Sequence, residues 1–147
     1  MENNENTLAP LTQAAEIVNA FSASAPAFFC SFAPKSDAEK VELYNAMNAP
    51  DVKLSDHIGQ EINMRDVIIE PVEIQNEDDT QTTAPRPRII IIDTDGNSYH
   101  CVSTGIYNAL RRLAGIFGAP TWQNGLKVKV KQLSFGSNRV FTLDAVV

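Results

Sequence analysis

The stretch Leu126-Lys-Val-Lys-Val-Lys131 alternates strictly between apolar and cationic residues. Successive side chains of a strand point to opposite faces, so Lys127, Lys129 and Lys131 share one face about 7 Å apart, while Leu126, Val128 and Val130 share the buried one. A row of ammonium groups at that spacing suits a phosphate backbone. The same pattern also guards an exposed edge strand against pairing with other chains, so the row has to be weighed with its neighbours. Arg86, Arg88, Arg111, Arg112 and Arg139 fall in the same half of the chain, Arg65 lies just before it, and Tyr99, Tyr107, Trp122 and Phe135 are interleaved. Phe135 has the parity of the three lysines, and Tyr107 and Arg111 sit i and i+4 on a predicted helix, off its buried stripe. Cations for phosphates and rings for base stacking, worth about 1–3 kcal/mol per base, are the two ingredients of a surface for single-stranded nucleic acid. Each ring also fits a place in the core, so these residues are candidates for such a surface as a set.

Catalysis has little to stand on. The sequence holds no phosphate-binding glycine loop, no G-x-G-x-x-G, no nucleophile elbow and no H-x-x-x-H or H-E-x-x-H. Asp93-Thr-Asp-Gly-Asn97 resembles the start of a calcium loop, but Thr104 occupies the position where that loop needs an acid, so turn chemistry is the better account. His57 and His100 are far apart in sequence and are read as polar neighbours rather than bases. Cys30 and Cys101 belong to no zinc-ligand spacing and are expected to be two free thiols. No cofactor, metal or catalytic residue is expected.

The charge is divided along the chain. The net value is -6 over 147 residues, yet residues 86–147 carry 8 basic against 3 acidic side chains, whereas residues 1–58 carry 3 against 8 and residues 59–85 carry 1 against 7. Local potential rather than total charge steers binding, so the basic half hints at an anionic partner. With 44% hydrophobic and 20% charged residues the composition is that of a globular domain; no apolar run reaches the ~18 residues of a membrane helix. The acidic N-terminus lacks the positive region of a secretory signal, and a cytoplasmic protein is expected.

The elements that must position the candidates follow from periodicity. Residues 1–58 read as an extension with short helices. One carries Leu11, Ala15, Val18 and Phe21 at helical spacing. A second opens at the capping box Ser36-Asp-Ala-Glu39, carries the stripe Leu43, Tyr44 and Met47, and stops at Pro50. Between them the patch at 28–32 is too apolar for an exposed tail; the segment up to Pro34 is expected to serve self-association rather than the barrel core. From Gly59 the period becomes two. A long strand changes parity at Arg65-Asp66 and again near Pro71, as a bulged or bent strand does. An acidic loop over 75–87 follows, then a hairpin about Asp95-Gly96, read as a two-residue loop that pairs Ile92 with Tyr99 and Ile90 with Cys101. Thr104 is read as the cap of a helix with stripe Ile106, Leu110, Leu113 and Phe117, ended by Gly118 and Pro120. Two strands joined by Gly136-Ser-Asn138 close the chain. Five strands with a helix between the third and fourth is the element order of the OB-fold, an all-β barrel with one helix, here over residues 59–147. A split β-sandwich uses the same elements.

Phe29-Cys-Ser-Phe32, Tyr44-Asn-Ala-Met-Asn48 with Pro50-Asp51, the run from Pro87 to Tyr99, Val102-Ser-Thr-Gly-Ile106 and Phe117-Gly-Ala-Pro-Thr-Trp122 together resemble the single-stranded DNA-binding proteins of phages and some mobile elements of Gram-positive bacteria. The resemblance runs from about Phe29 to the C-terminus. It implies an OB-fold that coats single-stranded DNA in replication or transfer, without enzymatic activity. The better-known bacterial proteins end in a flexible tail with an acidic tip, whereas Thr142-Leu-Asp-Ala-Val-Val147 reads as a strand, so partner recruitment by that route is not expected. Single-stranded DNA is the expected partner, with RNA left open and a homo-oligomer built through the N-terminal segment. The alternative is an OB-type protein-interaction module of a phage or plasmid assembly, in which the lysine row only protects an edge.

Overall fold

The computed structural model describes residues 28–72 and 86–147. The predicted helix over Leu11 to Phe21 and most of the acidic loop lie outside these residues. The elements are β1 (Phe29–Cys30), α1 (Asp37–Asn48), β2 (Val52–Lys53), a 3-10 turn (Leu54–His57), β3 (Glu61–Val72), β4 (Arg86–Asp93), β5 (Ser98–Val102), α2 (Thr104–Phe117), β6 (Leu126–Phe135) and β7 (Asn138–Ala145). The five longer strands are those anticipated. The two-residue strands β1 and β2 join them, so the described residues form one seven-stranded sheet rather than five strands alone. Its order is β2-β5-β4-β3-β6-β7, with β1 on β3.

Four consecutive isoleucines in β4 explain the layering. Ile89 and Ile91 face the main core with Val67, Ile69, Ile106, Leu110, Val128 and Val130. Ile90 and Ile92 face the other side beside Ile68 of β3, and Ala46 of α1 covers them. Burial on both faces is why this strand is continuously apolar instead of alternating, and each such side chain contributes about 1.5–3 kcal/mol. The expected bulge in β3 is present: the ladder with β4 shifts between Met64 and Asp66, leaving Arg65 as the extra residue. The second parity change near Pro71 is absent, because the β3–β4 ladder runs unbroken through Pro71 opposite Pro87 to Val72 opposite Arg86.

The β4–β5 hairpin corrects the predicted register by one residue. Ile91 pairs with Tyr99, Ile90 with His100 and Ile89 with Cys101. The loop has three residues rather than two: Gly96 N–H donates to the Asp93 carbonyl (3.0 Å), Gly96 adopts φ 90°, and Asp93 N–H donates to the Asn97 carbonyl (2.9 Å). That is a type I turn followed by a left-handed glycine. The Asp93 carboxylate clamps it by accepting from the backbone N–H groups of Asp95 and Asn97, both at 2.9 Å. A slip of one residue exchanges the faces, so Tyr99 and Cys101 turn to the core and His100 and Val102 turn outward.

α1 begins as predicted, with the reciprocal Ser36–Glu39 capping box, but Tyr44 is 64% exposed instead of lying on the buried stripe. Ser103, not Thr104, caps α2, its hydroxyl accepting from Ile106 N–H at 3.1 Å. Phe117, expected in that helix's buried stripe, is 51% exposed, and Tyr107, expected outside it, is buried. The patch at 28–32 is corrected as well. Phe29 belongs to the main core, and Ser31 Oγ accepts from Val67 N–H at 2.9 Å and donates to Asp66. Leu54 is in the same core.

The sheet curls so that its two ends approach. Among the described residues no ladder joins β5 to β7. α2 fills the inside of the curl, and Gly105 brings it against the β7 backbone: a methyl group there would meet the Phe141 carbonyl oxygen and come within 2.9 Å of Val140 Cγ1. β2 lies parallel to the outer edge of β5, pinned where Asp51 Oδ2 accepts from Ser98 N–H at 2.9 Å and Ser98 Oγ accepts from Asp51 N–H at 2.9 Å. The result is a mostly β, curled half-barrel, broadly of the OB kind.

Candidate nucleic-acid interface

β6 alternates as its sequence requires. Val128 and Val130 are buried in the core, whereas Lys127 and Lys131 are exposed and Lys129 is half-buried. The face continues into Leu133 and Phe135, which are 40% and 63% exposed. β6 pairs with β3 over residues 126–129, Val130 N–H and C=O bond onward to Gln60 and Gly59, and beyond that point β6 and β7 continue as a two-stranded ribbon to Phe135 opposite Asn138. The register also sets acids among the lysines: Lys129 lies between Glu61 of β3 and Asp144 of β7. Lys131 Nζ is 2.7 Å from Asp144 Oδ2. Lys127 and Lys129 have no ion pair among the described residues, so the cationic strength of the row rests on them.

The other candidates are distributed over the fold. Arg139 is exposed, but it pairs with Ser134 and so projects from the face of the ribbon opposite Phe135. Arg86 is exposed at the start of β4. Arg88, on the outer face, is held by Glu70 Oε1 at 2.7 Å. Arg65 works as a staple: its Nε donates to Asp66 at 2.8 Å and its Nη2 to Glu42 of α1 at 3.3 Å. The Asp66 bond, ahead of the opposing effect of partial burial, holds its guanidinium above the ordinary range. Asp66 is buried and also accepts from the Thr121 hydroxyl, tying the loop after α2 to the bulge.

Three of the rings are engaged by the fold. Tyr107 is packed in the core, with the Arg111 guanidinium 5.9 Å from its ring centroid; Arg112 is exposed. Tyr99 packs against the core, donates its hydroxyl to Asp93 Oδ2 at 2.9 Å and meets His57 edge to face at 5.3 Å. Burial, the Asp93 hydrogen bond and the nearby carboxylates push its pKa up to about 12. Burial acts to raise Asp93, yet hydrogen bonds from Asn97 and Tyr99 hold it below the ordinary carboxylate value. Trp122 is half-buried, and its indole N–H donates to the Gly118 carbonyl at 3.0 Å. Phe135 is the one candidate ring that is mostly exposed.

Pairing also assembles a set that sequence reasoning missed. Lys53 of β2 is the register partner of His100 of β5, and Arg88 is close enough to lower the His100 pKa, after burial and together with Lys53. Nothing in the local pattern around Lys53 announces a strand two residues long, so no sequence signal could have joined these residues.

A curled OB-like sheet that presents a row of lysines to solvent has the build of an oligonucleotide-binding module. Comparison with protein families makes this specific: residues 22–145 match the family described as phage single-stranded DNA-binding protein. The chain belongs to that family, whose members bind single-stranded DNA and are not enzymes. No curated protein and no solved structure matches it significantly.

Proposed function

We propose that the chain coats single-stranded DNA without sequence preference during phage or plasmid replication or transfer in the host cytoplasm, its five longer strands acting as the OB barrel. The observation that carries this reading is the row Lys127, Lys129 and Lys131 on the outer face of β6, running toward the exposed Phe135, in a chain of this family. Ammonium groups replace the counterions condensed on the phosphates, and a ring accepts any base because every base has a π face. Exposed Arg86, Arg112 and Arg139 extend the contact on other parts of the surface. Self-association is assigned to the N-terminal segment. Because Phe29 pairs with β3 and Ser31 is hydrogen-bonded to it, removal of residues 1–27 is the suitable deletion. It should lower the mass in light scattering, and an unchanged mass refutes that assignment.

The experiment is a titration of labelled oligothymidine and its RNA counterpart at a series of salt concentrations. Replacing Lys127, Lys129 and Lys131 by Gln should weaken binding and flatten the plot of log K against log salt by about 0.7 for each phosphate no longer neutralised. The substitution Asp144→Asn releases Lys131 from its ion pair and should tighten binding in the wild-type background. If the triple variant binds with the wild-type affinity and slope, the row is an edge-protection device only.

A further inference from the structure

The seam where β5 and β7 fail to pair holds a groove of about 250 Å³ that the lysine row does not touch. Lys53 and His100 line it together with Leu54, Ser55, Cys101, Val102 and Phe141. We propose that this seam takes one nucleotide of the bound strand, with its phosphate on Lys53 and His100 and its base against Val102 and Phe141. The proposal rests on the reading that the chain binds single-stranded DNA and adds a subsite at the β5–β7 seam, apart from the lysine row.

Three observations carry it. Lys53 and His100 are opposed across the β2–β5 ladder, so both project from the same outer face beside the opening. Lys53 is exposed and has no ion pair among the described residues, which leaves its charge for a ligand. A lysine and a titratable imidazole beside the apolar Val102 and the aromatic Phe141 match the two halves of a nucleotide, an anion and a π face. The charged groups facing His100 are Lys53 from β2 and Arg88 from β4, the latter ion-paired with Glu70 of β3; β7 offers the apolar Phe141. Burial, then Arg88 and Lys53, lower the imidazole pKa. A phosphate set against it favours the imidazolium instead, so binding takes up a proton and tightens as the pH falls.

The test is a titration of wild type, Lys53→Gln and His100→Gln with labelled oligothymidine at about pH 7.5 and about pH 5.5. Wild type should bind roughly three- to tenfold tighter at the lower pH, and His100→Gln should lose that gain. Lys53→Gln should bind roughly three- to tenfold more weakly at both, with a salt slope smaller by about 0.7. The Lys127, Lys129, Lys131 triple variant should keep the acid gain on its weakened affinity, which separates the two sites. Photocrosslinking with bromodeoxyuridine oligonucleotides should label β5 or Phe141 in the folded wild type. If wild type binds DNA but both single variants match it at each pH and no crosslink maps to the seam, the subsite is overturned while the family reading stands. If wild type does not bind, the underlying reading fails with it.

Discussion

Gly105 and Gly115 lie in the same helix, and the same substitution at each should move stability in opposite directions. At Gly115 an added methyl meets nothing within 4 Å. Alanine there gains helix propensity, about 0.5–1 kcal/mol. At Gly105 the methyl meets the Phe141 carbonyl oxygen and lies 2.9 Å from Val140 Cγ1. A valine methyl can rotate away; a backbone oxygen in a strand paired to β6 cannot. Overpacking of this kind costs about 1–3 kcal/mol, and the propensity gain offsets at most about 1 kcal/mol of it. Gly105→Ala should therefore be about 1–2 kcal/mol less stable than wild type, and Gly115→Ala slightly more stable. At about 2–4 °C per kcal/mol for a chain near this size, the expected changes are a Tm about 2–8 °C lower and about 1–4 °C higher. Circular dichroism melts with urea titrations as a second measure are sufficient. A Gly105→Ala protein that melts at or above the wild-type temperature would mean that α2 does not approach β7 this closely, and the account of how the curl is filled would be wrong.

Phe135 and Tyr107 should separate binding from stability. Phe135→Ala, at an exposed ring, should cost about 1–3 kcal/mol of DNA binding if one base stacks there and leave the melting temperature nearly unchanged. Tyr107→Ala empties a core position and should cost about 3–5 kcal/mol of folding stability; the reverse pattern in paired melts and titrations overturns both assignments. The Tyr99 hydroxyl should also mark the alkaline limit of the fold. Its pKa is raised to about 12 in the folded state from an ordinary value of 10.0, so the stability linked to it is complete below the unfolded value and lost as pH rises through the folded one. Urea titrations from neutral to strongly alkaline pH should show a smaller loss in Tyr99→Phe than in wild type, the remainder coming from Cys101 and Tyr107, which burial also raises, and identical profiles would refute the link.

Much of this architecture is written locally. The β6 alternation, the Ser36–Glu39 capping box, the parity change at Arg65-Asp66 and the basic second half each depend on neighbours a few residues apart, and each specifies a face, a start or a bulge by itself. The family resemblance has the same origin, since it rests on short runs such as Phe29-Cys-Ser-Phe32. The β4–β5 register is different in kind. Asp-Gly serves a two-residue loop and a three-residue loop with a left-handed glycine equally well, and the local pattern of four isoleucines, apolar on both faces, cannot arbitrate. What decided it was tertiary: Tyr99 gains the core and the Asp93 carboxylate in one register, while His100 is left outside. The packing of α2 similarly decided that Tyr107 is inside and Phe117 outside. Long-range pairing alone set Asp144 beside Lys131 and Lys53 beside His100. The sequence by itself determined which strands have a cationic face and where they begin. Only the folded sheet decided which cations are neutralised and which stand together, because those relations join residues remote along the chain whose meeting depends on register and curl.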